Sequence, residues 1–350
     1  MQRLKENPLI TKQMITPSQA NFSVCGVFNC GATIYNKQIV LLLRVAESYI
    51  QDDPTKVIVP QIDPQTKKTI AISFDKTDSR YDFSDSRVIK KHKTTVALTS
   101  LSHLRRAYSD DGINFVIDDK PWIEGDDITE IWGVEDPRIT KISNNYFITY
   151  TAVSNLGIFT NLIKTTDFFS FERLGTLFVT DNKDVAIFPE KIKGKYQTYH
   201  RPVPTDIGTP NIWLAKSPDL IHWGEHQKVL TVKDEGLTKG RVGAGAPSIK
   251  TPFGWLQIYH VADATNNYHL KALMTDLTDP AKIIAKTHQP LLKPERDYEQ
   301  NGFFKNVVFA NGIIERETEF IVYYGAADDK IAAAKIKKAD LYERLGFKND

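Results

Sequence analysis

Two adjacent carboxylates, Glu135 and Asp136, open the part of the chain best equipped for chemistry. They lie in residues 132–140, between Trp132-Gly133-Val134 and Pro137-Arg138-Ile139-Thr140. Pro137 lacks an N–H and biases the residue before it toward an extended conformation. A strand is therefore expected to begin at or just after Pro137, with the two acids at its mouth. Neighbouring strand residues point to opposite faces. If Asp136 faces a cavity, Glu135 is expected to face away from it. The same residues also read as a charged strand entry carrying a surface Asp–Arg pair.

A second set of residues gives the acids something to work with. Asp328 is another candidate carboxylate, and Arg44, Arg201, Arg241 and His260 form a cationic set, with Lys183 and Lys191 in addition. Two carboxylates in a cleft are the equipment of glycoside chemistry. Arginines around an open volume suit phosphate, because the guanidinium fork matches its oxygens. Any one arginine alone reads as a solvated ion pair, so the chemistry depends on a fold that makes these residues converge.

The elements that must do this are β throughout. Short apolar runs such as Ile39-Val40-Leu41-Leu42-Leu43, Tyr146-Phe147-Ile148-Thr149-Tyr150 and Phe320-Ile321-Val322-Tyr323-Tyr324 alternate with turn signals such as Ser143-Asn144-Asn145 and Lys193-Gly194-Lys195. Helix is expected only around 337–345 and in the polar N-terminal arm. One unit recurs: an alternating strand, a Ser or Thr, an Asp, and an aromatic four residues on. Its aspartates are Asp111, Asp167, Asp219 and, in degenerate copies, Asp276 and Asp340, spaced 56, 52, 57 and 64 residues apart. A four-stranded propeller blade takes about 40–60 residues. The sequence therefore predicts an all-β chain, a five-bladed β-propeller in one domain over 1–350. Residues 1–20 form an N-terminal arm and 337–350 a C-terminal segment. The repeated Asp is expected to bond its own turn backbone, and the aromatic to pack between sheets. Inner strands then bring one motif per blade to a shared central site.

Composition limits the partners. The 350 residues are 41% hydrophobic and 25% charged, enough for a sizeable core, and the formal net charge of +2 gives no global case for nucleic acid. The N-terminus has no apolar signal region, and no run approaches the roughly 20 apolar residues of a membrane span. A cytoplasmic location is expected, with no membrane partner. Cys25 and Cys30 have no second pair or nearby histidines for a zinc site and read as core thiols.

The motifs together resemble glycoside hydrolase family 130, the β-mannoside phosphorylases and β-mannosidases. The resemblance rests on Gly133-Val134-Glu135-Asp136-Pro137-Arg138, Phe188-Pro189-Glu190-Lys191 followed by His200-Arg201-Pro202, and Gly243-Ala244-Gly245-Ala246-Pro247 leading to Gly254-Trp255-Leu256 and Tyr259-His260. Asn306-Val307-Val308-Phe309 and Tyr323-Tyr324-Gly325-Ala326-Ala327-Asp328 complete it. The family fold is a five-bladed propeller, in agreement with the repeat count.

The resemblance implies roles. Asp136 matches the catalytic acid, which in this family acts on the glycosidic oxygen through the 3-hydroxyl of the mannosyl unit. Asn29, Arg44 and Asp328 match positions that hold that unit, and Glu135 and His103 join them as substrate-binding residues. Arg201, Arg241 and His260 match phosphate positions, with Lys183 as a fourth base before Val185. Arg241 stands where many relatives have lysine. The implied reaction is inverting phosphorolysis of a β-mannoside to α-mannose 1-phosphate and a shortened sugar. The segment 99–105 favours β-1,2-mannobiose or short β-1,2-oligomannan, while β-1,4-mannosides stay open. The burial of an acid would raise its pKa and Arg138 would oppose this; the sequence leaves the balance open. An inverting β-mannosidase is the alternative, with Glu190 or Glu235 activating water, and a non-catalytic sugar-binding or scaffold propeller is a further one. No metal or organic cofactor is implied, only inorganic phosphate as co-substrate. The terminal segments are placed either to clasp the fold or to make contacts in a homo-oligomer.

Overall fold

The computed structural model describes residues 1–347; the last three residues of the expected C-terminal segment, 348–350, lie outside the described residues. The chain is nearly all β. Its described residues form five main antiparallel sheets, filled in chain order. The first holds Phe22–Tyr35, Gln38–Tyr49, Leu101–Ser109 and Val116–Ile117, and the second Val134–Ile142, Asn145–Ser154, Gly157–Thr165 and Glu172–Phe178. The third holds Asn182–Ile187, Tyr196–Pro202, Ile212–Ser217 and Gly224–Leu230. The fourth is built on Arg241–Ala244, Gly254–Ala262, Tyr268–Thr275 and Ile283–Lys286, and the fifth on Val308–Glu315, Glu319–Ala326 and Lys330–Lys337.

The continuous apolar runs have a simple cause. Alternate side chains of a strand feed the two layers on either side of it. Ile39, Leu41 and Leu43 enter the core between the first and fifth sheets, whereas Val40 and Leu42 enter the core between the first and second. Tyr146, Ile148 and Tyr150 likewise face the first sheet, and Phe147 faces the third. Further apolar clusters fill the space between the third and fourth sheets and between the fourth and fifth. Each sheet thus packs on its successor, and the fifth packs on the first.

The repeated turn is present four times. The Asp111 carboxylate accepts from the backbone N–H groups of Ile113 and Asn114, both at 2.8 Å, and Asp167, Asp219 and Asp276 do the same in their turns. The aromatics pack between sheets, as with Phe115 on Tyr323 and Phe171 on Trp122. The fifth copy differs: Asp340 lies in the helix Lys338–Arg344, near the expected helix. The fifth sheet takes its outer strand from the other end of the chain instead, where Gln2–Arg3 pairs with Lys330–Lys337. The N-terminal arm therefore forms a strand and a short 3-10 turn at Lys12–Met14 rather than a regular helix. Arg3 fixes it through two bonds to the buried Glu299, at 2.7 and 2.8 Å.

One addition is not marked by the repeat. Between the second and third strands of the first sheet, residues 50–100 form the hairpin Lys56–Asp63 and Lys68–Asp75 and a small sheet of Tyr81–Asp82, Val88–Lys91 and Thr94–Leu98. Its Arg87 stacks on Phe304, 4.4 Å from the ring centre, beside the site described next.

Candidate active site

The first strands of the first three sheets share one irregularity. Each carries a register shift, at Phe28/Gly31, Glu135/Arg138 and Lys183/Ala186, and each shift holds a left-handed residue: Asn29 (φ 51°), Asp136 (φ 51°) and Asp184 (φ 57°). Asn and Asp tolerate this conformation better than other residues with a side chain. A bulge re-aims side chains beside a strand. All three residues line one cavity of about 150 Å³, together with Arg44, Lys183, Arg201, Arg241, Tyr268, Phe304, Val307, Phe309 and Asp328.

The bulge corrects two expectations about residues 132–140. The strand begins at Val134, ahead of Pro137, and a proline at a bulge disrupts no ladder. Strict alternation also fails there, so Glu135 and Asp136 meet the same partner. Arg44 donates from Nη2 to Glu135 Oε1 at 2.7 Å and from Nη1 to Asp136 Oδ1 at 2.9 Å. Asn29 Nδ2 donates to the same Asp136 oxygen at 2.9 Å, and Arg44 Nε donates to Ser102 Oγ at 3.1 Å. The surface-pair reading is excluded, because Asp136 is 7% exposed and Arg138 2%. Arg138 turns away from the Asp136 carboxylate. It donates to Asp184 Oδ1 at 2.8 Å and to the carbonyls of Gly245 and Ala244.

The electrostatic balance left open by the sequence follows from these contacts. Burial alone would push the Asp136 carboxyl up, but Arg44, Lys183, the Asn29 hydrogen bond and Arg138 together hold it below the ordinary carboxylate range. Asp328 behaves in the opposite way. Burial, with the negative charges of Asp136 and Glu135, outweighs Arg44 and Lys183 and raises it to about 6.

The other end of the cavity is cationic but holds an acid. Asp184 Oδ2 lies 2.7 Å from Arg201 Nη1 and 3.2 Å from His260 Nε2. Gly243 makes room for this approach, since a Cβ there would come within 2.1 Å of Asp184 Oδ2 and 2.4 Å of His260 Nε2. Burial would raise the Asp184 carboxyl, yet the positive charges of Arg201 and Arg138 hold it well below the usual range. His260 is fully buried against Phe309 and Tyr268, and burial lowers its pKa to about 4. It is therefore a neutral imidazole at pH 7, not the cation expected from the sequence. Arg241 stacks on Tyr268 and donates to the Tyr268 hydroxyl and to Asn266 Oδ1.

Three sequence expectations land elsewhere. Lys183 lines the cavity on the side of the carboxylates, 3.7 Å from Glu135 Oε2; the residue before Val185 that reaches Arg201 and His260 is Asp184. His103 lies behind the site, 3.7 Å from Glu47 and 3.3 Å from Arg105, with its pKa lowered to about 3 by burial and Arg105. Strand alternation sends it there and turns its neighbour Ser102 toward Arg44. Lys191 sits on Tyr196, away from the cavity. Both glutamates considered as bases for water are also elsewhere. Glu190 is exposed and pairs with Lys250 at 2.6 Å, while Glu235 is bound by Tyr259, Lys271 and Lys286. The sequence reading missed Asp184, Ser102, Tyr268 and Phe304. Asp184 had a signal, since it stands where Asn29 and Asp136 stand in their own strands.

Such a site can bind a polar ring through carboxylates and an arginine at one end, and an oxyanion at the other. The model of the family described as beta-1,4-mannooligosaccharide phosphorylase, glycoside hydrolase family 130, matches residues 81–345. The chain is 42% identical over 346 residues to a beta-1,2-mannobiose phosphorylase of Listeria innocua, covering 98% of both chains. It is 40% identical over 250 residues to a 1,2-beta-oligomannan phosphorylase of Thermoanaerobacter sp. strain X514, covering 69% of this chain and 80% of the relative. The solved structure of the Listeria innocua enzyme with beta-1,2-mannobiose superposes with a TM-score of 0.94 at 41% identity, over 99% of each chain.

Proposed function

This chain belongs to glycoside hydrolase family 130, and on that premise we propose that it is an inverting phosphorylase of β-1,2-mannobiose or short β-1,2-oligomannan. It converts a β-mannoside and inorganic phosphate to α-mannose 1-phosphate and a shortened sugar. The observation that carries the phosphorolytic reading is the division of the cavity. Asp136, Asp328 and Arg44 lie at one end, and Arg201 and Arg241 line the other, with His260 buried behind Arg201 at 3.0 Å. Water needs a general base to become a nucleophile; phosphate arrives as an anion and needs only concentration and alignment. Glu190 and Glu235 are committed to ion pairs elsewhere, and Asp184 is held too strongly ionised to take a proton. These facts favour phosphate over water.

In this reading Asn29, Arg44, Glu135 and Asp328 hold the mannosyl unit before the scissile bond. Asp136 supplies the proton to the leaving oxygen through the sugar 3-hydroxyl. The free site keeps Asp136 ionised, so the acid must be charged with a proton once the ligands are in place. A phosphate dianion raises the proton affinity of a nearby carboxylate, as the negative charge of Asp136 already helps to raise Asp328. Phosphate attacks the anomeric carbon from the face opposite the leaving group as that bond breaks, which inverts the centre.

The five sheets are the blades of a propeller forming one domain over 1–350, and the cavity is the mouth of its channel. We place the enzyme in the cytoplasm, working on small sugars without a metal or organic cofactor. Reverse synthesis from α-mannose 1-phosphate with a panel of acceptors, followed by linkage analysis, tests the substrate assignment. β-1,2-Linked products from mannose are expected. Exclusive transfer to glucose or N-acetylglucosamine with a β-1,4 linkage overturns it.

A further inference from the structure

Asp184 is out of place in a site for an anion. It is 2% exposed, forms part of the cavity wall, and sits among the groups proposed to bind phosphate. One oxygen, Oδ1, is satisfied by Arg138 at 2.8 Å. The other, Oδ2, lies 2.7 Å from Arg201 Nη1 and 3.2 Å from the neutral His260 ring, whose Nε2 accepts from Arg201 Nη1 at 3.0 Å, and it has no hydrogen-bond partner of its own. Arg201 Nε and His260 Nδ1 are also buried without a hydrogen-bond partner. The cluster therefore holds spare hydrogen-bonding capacity of both kinds, one acceptor and two further ring or guanidinium nitrogens. A buried acceptor of this sort favours a partner that brings a proton.

The chemistry of tetrahedral oxyanions makes this a filter. A fully deprotonated oxyanion touching Asp184 would place two acceptors face to face, with no donor between them. Hydrogen phosphate and hydrogen arsenate each carry one hydroxyl at neutral pH, and that hydroxyl can donate to Asp184 while the remaining oxygens accept from Arg201 and Arg241. Sulfate has the same shape and charge as hydrogen phosphate but no hydroxyl. We propose that Asp184 is a specificity-determining residue that admits protonated tetrahedral oxyanions, phosphate and arsenate, and rejects sulfate. This rests on the phosphorolytic reading of the site. Its strong ionisation, imposed by the surrounding arginines, keeps it an acceptor only.

The test is competition at constant ionic strength, with formation of α-mannose 1-phosphate as the signal. For the unchanged enzyme the inhibition constant of sulfate should exceed the KM of phosphate by about 100-fold, the discrimination expected for one hydrogen bond to a charged acceptor. Arsenate should replace phosphate and give free mannose, because a sugar arsenate ester hydrolyses. In Asp184→Asn the side-chain amide can donate to an unprotonated oxygen, and the ratio of sulfate inhibition constant to phosphate KM should fall at least tenfold. A purely structural role would alter turnover or stability and leave that ratio unchanged. Asp184→Glu is the second variant: it keeps a carboxylate and should retain the selectivity even with reduced turnover. Sulfate competing as well as phosphate in the unchanged enzyme, or an unaltered ratio in Asp184→Asn, overturns the proposal. A failure to make α-mannose 1-phosphate at all instead overturns the phosphorolytic reading beneath it.

Discussion

Asp136→Asn isolates the acid step from everything else the residue does. Asp136 Oδ1 accepts both from Arg44 Nη1 and from Asn29 Nδ2, each at 2.9 Å. An asparagine carbonyl in the same position can accept both bonds, so the bulge and the cavity wall should persist. The loss of charge weakens the Arg44 contact and relieves the repulsion on Asp328. Because Arg44 keeps its bond to Glu135, the loss of stability should stay at about 1–3 kcal/mol, below the cost of leaving a buried charge wholly unpaired. The amide cannot supply a proton. General acid catalysis is worth about 10²–10⁴ in rate, or about 3–5 kcal/mol of barrier. Turnover of β-1,2-mannobiose should fall by that factor while the KM for phosphate stays close to its starting value. The decisive comparison uses dinitrophenyl β-mannoside, whose leaving group departs without protonation. On it the variant should lie within about tenfold of the unchanged enzyme. An equal loss on both substrates would refute the acid role and leave Asp136 as a binding residue. Undiminished turnover of mannobiose would remove it from catalysis.

Three further outcomes follow from the same contacts. Asp328 is raised to about 6 and so ionises above that pH; protonated below it, the residue loses acceptors for sugar hydroxyls. The pH profile of kcat/KM should therefore fall on the acid side with an apparent pKa near 6, and Asp328→Asn should remove that limb while lowering the plateau. Gly243→Ala puts a Cβ within 2.1 Å of Asp184 Oδ2 and 2.4 Å of His260 Nε2, so initial-rate kinetics should show the KM for phosphate rising at least about tenfold with little change in the KM for mannobiose. Glu299→Ala leaves the guanidinium of Arg3 and the Tyr324 hydroxyl without their buried acceptor and should cost about 3 kcal/mol in denaturant unfolding. The Glu299 pKa is lowered on folding, so its contribution is complete above its ordinary value of 4.5 and is lost as pH falls through the folded-state value.

The sequence carried the scaffold because four of the five sheets repeat the same local physics. The turn aspartates Asp111, Asp167, Asp219 and Asp276 bond their own backbone, and that need is visible in one dimension. Ile39-Val40-Leu41-Leu42-Leu43 is apolar at every position because both of its faces are covered. The closing strand Gln2–Arg3 was hidden because its partner, Lys330–Lys337, lies at the opposite end of the chain. At the site, residue types were legible and directions were not. Alternation correctly separates His103 from Ser102 once the register is known, but it fails at Glu135 and Asp136, where a bulge turns both toward Arg44. Asp184 escaped because an acid among cations proposed to bind phosphate contradicts the charge pattern, and only the shared left-handed bulge with Asn29 and Asp136 identifies its place.

This cavity is proposed to deliver phosphate, not water, to a β-mannoside. Phosphorus-31 NMR of the enzyme with β-1,2-mannobiose tests it directly, in phosphate buffer and in a phosphate-free buffer of equal ionic strength. A new α-mannose 1-phosphate resonance, one equivalent of free mannose, and no consumption of the disaccharide without phosphate are expected. Release of two equivalents of mannose at the same rate in both buffers, with no sugar phosphate, would contradict it.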